Sequence, residues 1–194
     1  LDALNAISRG RVPRQGLGVF LYGHGAELSD TREAHVCALP VFELERWLLN
    51  HLADKRCIEG VPESAQQLIG LGPGLTPSGD DFLGGVLIAL FLVDRQDIAA
   101  LLYADLCPRL PARTGPISRT HLAAASVGQG LEILHLAINS VIEGDEEMIP
   151  TRLHYLDRMG SSSGWDALAG AYVVLRACLI RSDGRLHKCR LGSN

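Results

Sequence analysis

Residues 79–93, which read GDDFLGGVLIALFLV, constrain the fold most, because a helix over this segment is apolar on nearly every face. A helix that is apolar all round has to be buried on most of its sides. The apolar run VLIALFLV is also far shorter than the roughly 20 residues that a membrane-spanning helix needs. The segment therefore predicts the central helix of a globular core, and we expect no membrane as a partner.

The overall composition favours one good core, or a main domain with a small appendage. The chain has 194 residues, is 47% hydrophobic and carries a formal net charge of −4. Lys and Arg are not clustered, so the basic surface of a nucleic-acid-binding protein is missing. The 5 cysteines are scattered and contain no CxxC pair. This pattern fits neither a zinc ribbon nor a disulfide framework and favours a reducing cytoplasm.

Residue periodicity divides the chain into two parts. In residues 1–60, two short β-type runs at Gly18–Tyr22 and 34–40 precede a helical stripe over 41–55. This α/β segment begins without Met, and we interpret it as truncated. Residues 61–194 form a helical domain, with predicted helices at 63–70, 79–93, 97–107, 117–127, 131–142, 146–158 and 165–180. The predicted fold class is therefore α+β, mainly α.

Two turns of the helical domain share one pattern. With an offset of 85 positions, TPSGDDFLGG (76–85) aligns with SSSGWDALAG (161–170), and both read [TS]-x-S-G-x-D-x-L-x-G. Each copy then continues into a long apolar helix. The agreement indicates an internal repeat.

The residues of the repeat suit the start of a helix, with one exception. Ser can cap orphan N–H groups, and Asp complements the positive end of the helix dipole. Capping does not explain the glycine four residues after each Asp, because Gly inside a helix costs about 1 kcal/mol relative to Ala. Positions i and i+4 share a face. Each copy thus places a carboxylate beside a notch, which a second helix, a ligand or the other copy would approach closely.

Our hypothesis is that the two helix starts meet about a pseudo-twofold axis and frame one polar pocket. Free N–H groups of the glycine-rich turns would bind phosphate or a carboxylate. The aspartates would accept from amide or ureide N–H groups, or hold Mg²⁺. The plainer alternative is two capped helix starts that pack through glycine. The candidate catalytic residues are Asp80, Asp81 and Asp166, and the candidate substrate-binding residues are Gly72, Gly74, Thr76, Ser78, Gly79, Ser163, Gly164 and Arg119.

A third segment, PARTGPISRTHL (111–122), opens another predicted helix and could complete an anion site. Its polar residues are Arg113, Thr114, Ser118, Arg119 and His121. The alternative is an exposed, capped helix start. The glycine-rich stretch 70–79 lacks the GK[ST] ending of a P-loop, so glycine alone does not indicate a nucleotide site.

The segments GLGPGLTPSGDDFLGG, ISRTHLAAASVGQG and GSSSGWDALAG together resemble a family, long described as a domain of unknown function, that includes a subunit of oxamate carbamoyltransferase from allantoin catabolism. The resemblance covers roughly residues 65–178. It implies phosphorolysis of oxalurate to oxamate and carbamoyl phosphate by an assembly of several subunits. It also implies that 72–81 and 163–166 are functional positions. The two copies differ at Trp165, which stands where the first has Asp80, so the half-sites are not equivalent.

Three functions are open on this basis. The first is an enzyme subunit that contributes a pocket for a small anionic or ureide substrate and works with other subunits. The second is a noncatalytic scaffold whose glycine notches receive a partner subunit. The third is a Mg²⁺-dependent phosphoryl-transfer enzyme with Asp80 and Asp81 as ligands. No cofactor is required by the first function, and Mg²⁺ is the metal implied by the third.

Overall fold

The computed structural model describes residues 1–23, 32–53 and 60–181. Of the described residues, 73% are helical, and these ranges contain no β-strand. The α-helices are α1 Asp2–Ser8, α2 Arg32–Ala53, α3 Ser78–Leu92, α4 Gln96–Leu106, α5 Leu110–Arg113, α6 Pro116–Ala125, α7 Glu132–Glu143, α8 Ile149–Leu156 and α9 Ser163–Arg181. Short 3₁₀ helices occupy Gly18–Tyr22, Glu63–Leu68 and Cys107–Arg109.

Helix α3 is the central helix, as its sequence predicts. Phe82, Leu83, Val86, Leu87 and Leu90 are all fully buried, although they point to different sides of the helix. Helix α9 packs along α3, and α4, α6 and α7 contact α3 as well. The start of α3, which carries the aspartates, is therefore fixed from several directions by the core.

The prediction of β structure in the first 60 residues is wrong, and the described fold is all-α. Residues Gly18–Tyr22 form a 3₁₀ helix packed on α9. The run is apolar at successive positions that are all buried, so it lacks the alternation of a half-buried strand. Residues 34–40 belong to α2, which continues through Pro40. Ala34, Cys37, Val41 and Leu44 are buried at helical spacing, and this packing outweighs the local cost of proline.

An ion pair joins helix α9 to helix α2. The guanidinium of Arg176 donates two hydrogen bonds of 2.5 Å to the carboxylate of Glu45 on α2, a bidentate, charge-assisted pair. By length and composition, Ser163–Ile180 is one stretch of the described chain that could cross a membrane, but 72% of that window is buried inside the protein. Its apolar character is accounted for by packing in the core.

Candidate functional site

The two copies of the repeat contact each other through their glycines. A Cβ atom on Gly85 would lie 1.8 Å from the carbonyl oxygen of Ala167, and a Cβ on Gly170 would lie 1.9 Å from that of Phe82. Adding the offset of 85 to Phe82 and Gly85 gives Ala167 and Gly170. The two contacts are therefore the same contact seen from the two copies. Each notch predicted from the sequence is filled by the other copy of the same chain.

The serine of each copy also contacts the aspartate of the other copy. The hydroxyl of Ser163 hydrogen-bonds the carboxylate of Asp81, and the hydroxyl of Ser78 hydrogen-bonds that of Asp166. The same offset of 85 converts one pair into the other. The glycine contacts lie four residues further along both helices than these pairs do, since Asp81 is followed by Gly85 on α3 and Ser163 by Ala167 on α9. Helices α3 and α9 therefore run side by side in the same direction, related by a pseudo-twofold axis.

Ser78 does not cap α3. Helix α3 begins at Ser78, its N-cap residue is Pro77, and no side chain caps it. The hydroxyls instead link the two copies, and Thr76 Oγ1 also lies 3.2 Å from Ser163 Oγ. At α3, therefore, the serine links the two copies and is not a cap.

A cavity of about 500 Å³ opens beside the first copy. Its polar end is formed by Thr76, Asp80, Asp81 and Ser163, with Ser118 and His121 contributed by α6. Its other walls are mostly apolar and include Ile88, Leu122, Leu134 and Met159. The cavity has room for a small molecule of a few heavy atoms with one polar end.

Asp80 is engaged by the protein at both oxygens. Its Oδ1 accepts a hydrogen bond of 2.8 Å from the N–H of Gly70, and its Oδ2 accepts one from the Thr114 hydroxyl. The side chain is only 3% exposed. Asp80 thus ties the glycine-rich turn to the segment that precedes α6.

Asp166 is fully buried and is the most completely hydrogen-bonded of the three aspartates. Its Oδ1 accepts from the N–H of Leu17 at 2.5 Å, and its Oδ2 accepts from Ser162 Oγ at 2.9 Å. The N–H of Gly18 and the hydroxyl of Ser78 also hydrogen-bond the carboxylate. Burial nevertheless raises its pKa to about 6. Asp166 joins the N-terminal segment to the helix pair and does not line the cavity.

Asp81 differs from both, because it lines the cavity and retains an unsatisfied oxygen. The hydroxyls of Ser163 and Thr76 hydrogen-bond the carboxylate. Its Oδ2 is buried and has no partner among the described residues. Burial is the largest effect on this group and raises its pKa to about 7, and the nearby carboxylates of Asp166 and Asp80 raise it further. An unpaired buried oxygen of this kind is costly unless a ligand satisfies it.

Three N–H groups at the start of α3 already have backbone partners. The N–H of Gly79 bonds the carbonyl of Leu71 at 2.9 Å, and those of Asp80 and Asp81 bond the carbonyl of Pro77. No Lys or Arg side chain of the described ranges lines the cavity, and Arg119 lies outside its lining. The polar end of the cavity therefore offers hydrogen-bond acceptors and hydroxyls, and no fixed positive charge.

The predicted glycines have conformational and packing roles. Gly72 and Gly74 have φ of 110° and 98°, a region that favours glycine, and neither lines the cavity. Gly79 and Gly164 let the last residues of the preceding helices approach, since added Cβ atoms would lie 1.9 Å from Leu68 O and 2.7 Å from Leu156 O. No group of three or more His, Cys, Asp or Glu side chains within the described residues is arranged to hold a metal.

The sequence did not single out Gln129 and Met159 in the cavity wall, or the segment at Leu17 that binds Asp166. Gln129 lies in the segment 117–130 that carries part of the family resemblance, but nothing in that segment assigns it a role, and Met159 lies in no motif. Leu17 acts through its backbone N–H, which every residue but proline possesses. No signal based on residue type could have identified it.

The wild-type protein is expected to lose stability relative to Asp81→Asn as the pH rises from about 4 to about 7. The pKa of Asp81 is raised to about 7 in the folded protein, whereas an unfolded aspartate titrates near about 3.9. The folded state therefore binds an extra proton. The stabilising contribution is complete below about pH 4 and is lost as the pH rises through about 7. Chemical denaturation of both proteins across this range measures the difference, and a pH-independent difference would contradict the burial of Asp81.

The fold and the site define an all-helical protein, over the described residues, with a small ligand-sized cavity beside a duplicated pair of helix starts. The chain belongs to the family of the oxamate carbamoyltransferase subunit AllH, whose model matches residues 68–175 of the 194. The match spans both copies of the repeat and confirms the resemblance identified in their sequences. The family is that of a subunit, so other subunits of a complex are its expected partners. No solved structure matches the chain.

Proposed function

We propose that this chain is a substrate-binding subunit of an oxamate carbamoyltransferase and that the cavity beside α3 holds the amide-bearing reactant. The observation that carries the proposal is the unsatisfied Oδ2 of Asp81 in the lining of a cavity of about 500 Å³. The cavity lies within the part of the chain that matches the family. In this role the protein acts in the cytoplasm, in the catabolism of allantoin.

The reaction to be supported is the phosphorolysis of oxalurate. A phosphate oxygen bonds to the carbamoyl carbon, and the bond from that carbon to the oxamate nitrogen breaks. The nitrogen gains one proton, which the attacking phosphate loses, and the products are carbamoyl phosphate and oxamate. Asp81 is suited to relay that proton, because a carboxyl with a pKa of about 7 can both accept and release it near neutral pH.

The phosphate requires positive charge that the lining of this cavity lacks. Phosphoryl and carboxylate groups are bound most strongly by Arg and Lys side chains or by a metal. In our proposal another subunit supplies these groups, and the reaction takes place where the two subunits meet. This division of labour accounts for an acidic, partly apolar cavity in an enzyme with anionic substrates.

Filling the cavity is expected to abolish activity without unfolding the protein. Gly84 lines the cavity, and a Cβ at this position would have open space around it. In Gly84→Leu the side chain should enter the cavity, while the helix gains from the loss of glycine. We expect at least a 100-fold loss of oxalurate phosphorolysis in the assembled enzyme, measured as carbamoyl phosphate formed, with the melting temperature maintained.

The matched control for this variant is Ala123→Leu, which adds the same side chain at an exposed position of α6 that does not line the cavity. Its activity should remain that of the wild type. If Gly84→Leu assembles with its partners and retains full activity, the cavity does not hold the substrate. A noncatalytic scaffold role would then be the better description.

A further inference from the structure

The N-terminal segment occupies, beside the second copy of the repeat, the place that the cavity occupies beside the first. Three contacts define where the segment lies. A Cβ on Gly18 would be 3.1 Å from Trp165 Cβ, the N–H of Leu17 binds Asp166, and the ring of Phe20 packs edge-on against Phe82 at 6.3 Å between centroids.

The three residues that the N-terminal segment contacts have counterparts, under the pseudo-twofold axis, that line the cavity. With the offset of 85, Trp165 corresponds to Asp80, Asp166 to Asp81, and Phe82 to Ala167. Asp80, Asp81 and Ala167 all line the cavity. The two aspartates of the pattern therefore face equivalent spaces, one filled by backbone and the other forming the cavity.

The filled half indicates what the carboxylate of the other half requires. Asp166 is satisfied by hydroxyls of the two turns and, in addition, by the backbone N–H groups of Leu17 and Gly18. Asp81 also has two hydroxyl partners, Ser163, which corresponds to Ser78, and Thr76 of its own turn, and it has one oxygen without a partner. The difference between the two carboxylates is a pair of amide N–H donors.

We propose that Asp81 accepts hydrogen bonds from the amide N–H groups of the bound substrate, which take the place that the Leu17 and Gly18 amides hold on Asp166. This inference rests on the proposed function and adds to it the group that is recognised. Asp81 would then favour ligands with a carboxamide or ureide N–H group over ligands that present only oxygen atoms. Asp80 cannot take this role, because both its oxygens are engaged by Gly70 and Thr114.

The test compares oxamate with pyruvate, which has the same charge and nearly the same shape but a methyl group where oxamate has NH₂. Dissociation constants are measured by isothermal titration calorimetry on the assembled complex containing wild type, Asp81→Ala or Gly84→Leu. The wild type should bind oxamate at least 10-fold more tightly than pyruvate. Asp81→Ala should bring the ratio close to one, and Gly84→Leu should bind neither ligand.

The outcomes separate the inference from the proposed function. If Gly84→Leu blocks both ligands but the preference for oxamate is absent, or survives in Asp81→Ala, recognition by Asp81 is wrong and the cavity remains the binding site. If Gly84→Leu binds oxamate as well as the wild type does, the proposed function fails and the inference fails with it. Should Asp81→Ala prove unstable, Asp81→Asn keeps the side-chain volume and is expected to reduce the preference at least 3-fold.

Discussion

Replacing Gly85 with alanine is expected to lower the free energy of unfolding by about 3 kcal/mol or more, because overpacking of this severity exceeds the usual cost of an added methyl group. The new Cβ would lie 1.8 Å from the carbonyl oxygen of Ala167. That oxygen belongs to the backbone of α9, so no side-chain rotation can relieve the overlap. For a protein of this size, such a loss lowers the melting temperature by roughly 10 °C.

The neighbouring glycine provides the control. Gly84 lies on the same helix one residue earlier, and a Cβ there has no atom within 4 Å. Gly84→Ala is therefore expected to be neutral or to stabilise the protein by up to about 1 kcal/mol through helix propensity. Gly170→Ala, the equivalent change in the second copy, should destabilise as Gly85→Ala does. Thermal unfolding of all three variants checks this, and equal melting temperatures would mean that the helices do not contact through these glycines.

The same contact determines which functional alternatives remain. A scaffold whose glycine notches receive a partner subunit was one interpretation of the sequence. The notches of Gly85 and Gly170 are filled by α9 and α3 of the same chain, so these glycines are unavailable to a partner. Any surface for other subunits has to lie elsewhere on the molecule.

The meeting of the two turns could be predicted from the sequence because the repeat retains the residues that make the contact. Ser, Asp and Gly recur at the same spacing in both copies, and each of them touches the other copy. A pattern in which Ser78, Asp81 and Gly85 make the same contacts as their counterparts in the second copy is visible in one sequence. The burial of α3 could also be predicted, because apolar residues occupy nearly every face of this helix.

The different roles of the aspartates could not be predicted, because their neighbours decide these roles. Asp81 and Asp166 hold equivalent positions in the repeat, yet the segment at Leu17 covers only Asp166. That segment binds through backbone N–H groups, and the sequence GVFLY at Gly18–Tyr22 was interpreted as a strand. Its 3₁₀ conformation depends on packing against α9 and Phe82, which is tertiary information that local patterns do not contain.

Replacing Asp81 with asparagine is expected to lower the turnover of the assembled enzyme about 100-fold to 10,000-fold, the usual contribution of a group that transfers a proton in the transition state. Asparagine keeps the volume of the side chain and can still bond the hydroxyls of Ser163 and Thr76. It cannot accept a proton at neutral pH. Stability above about pH 7 should be equal to that of the wild type or higher, because the substitution removes a carboxylate whose ionisation burial disfavours.

Asp166→Asn, at the equivalent position of the second copy, should show the opposite behaviour. Its carboxylate is fully buried and accepts the N–H of Leu17 and the hydroxyl of Ser162. An amide in its place puts a donor against one of these groups, and we expect a loss of roughly 1–3 kcal/mol in unfolding free energy. Turnover per folded molecule should change far less than in Asp81→Asn, because Asp166 does not line the cavity. Measuring kcat and the unfolding free energy of both variants separates the two roles. Equal losses of kcat would show that the pseudo-symmetric aspartates act as one unit, and the assignment of Asp81 alone to the substrate would then be wrong.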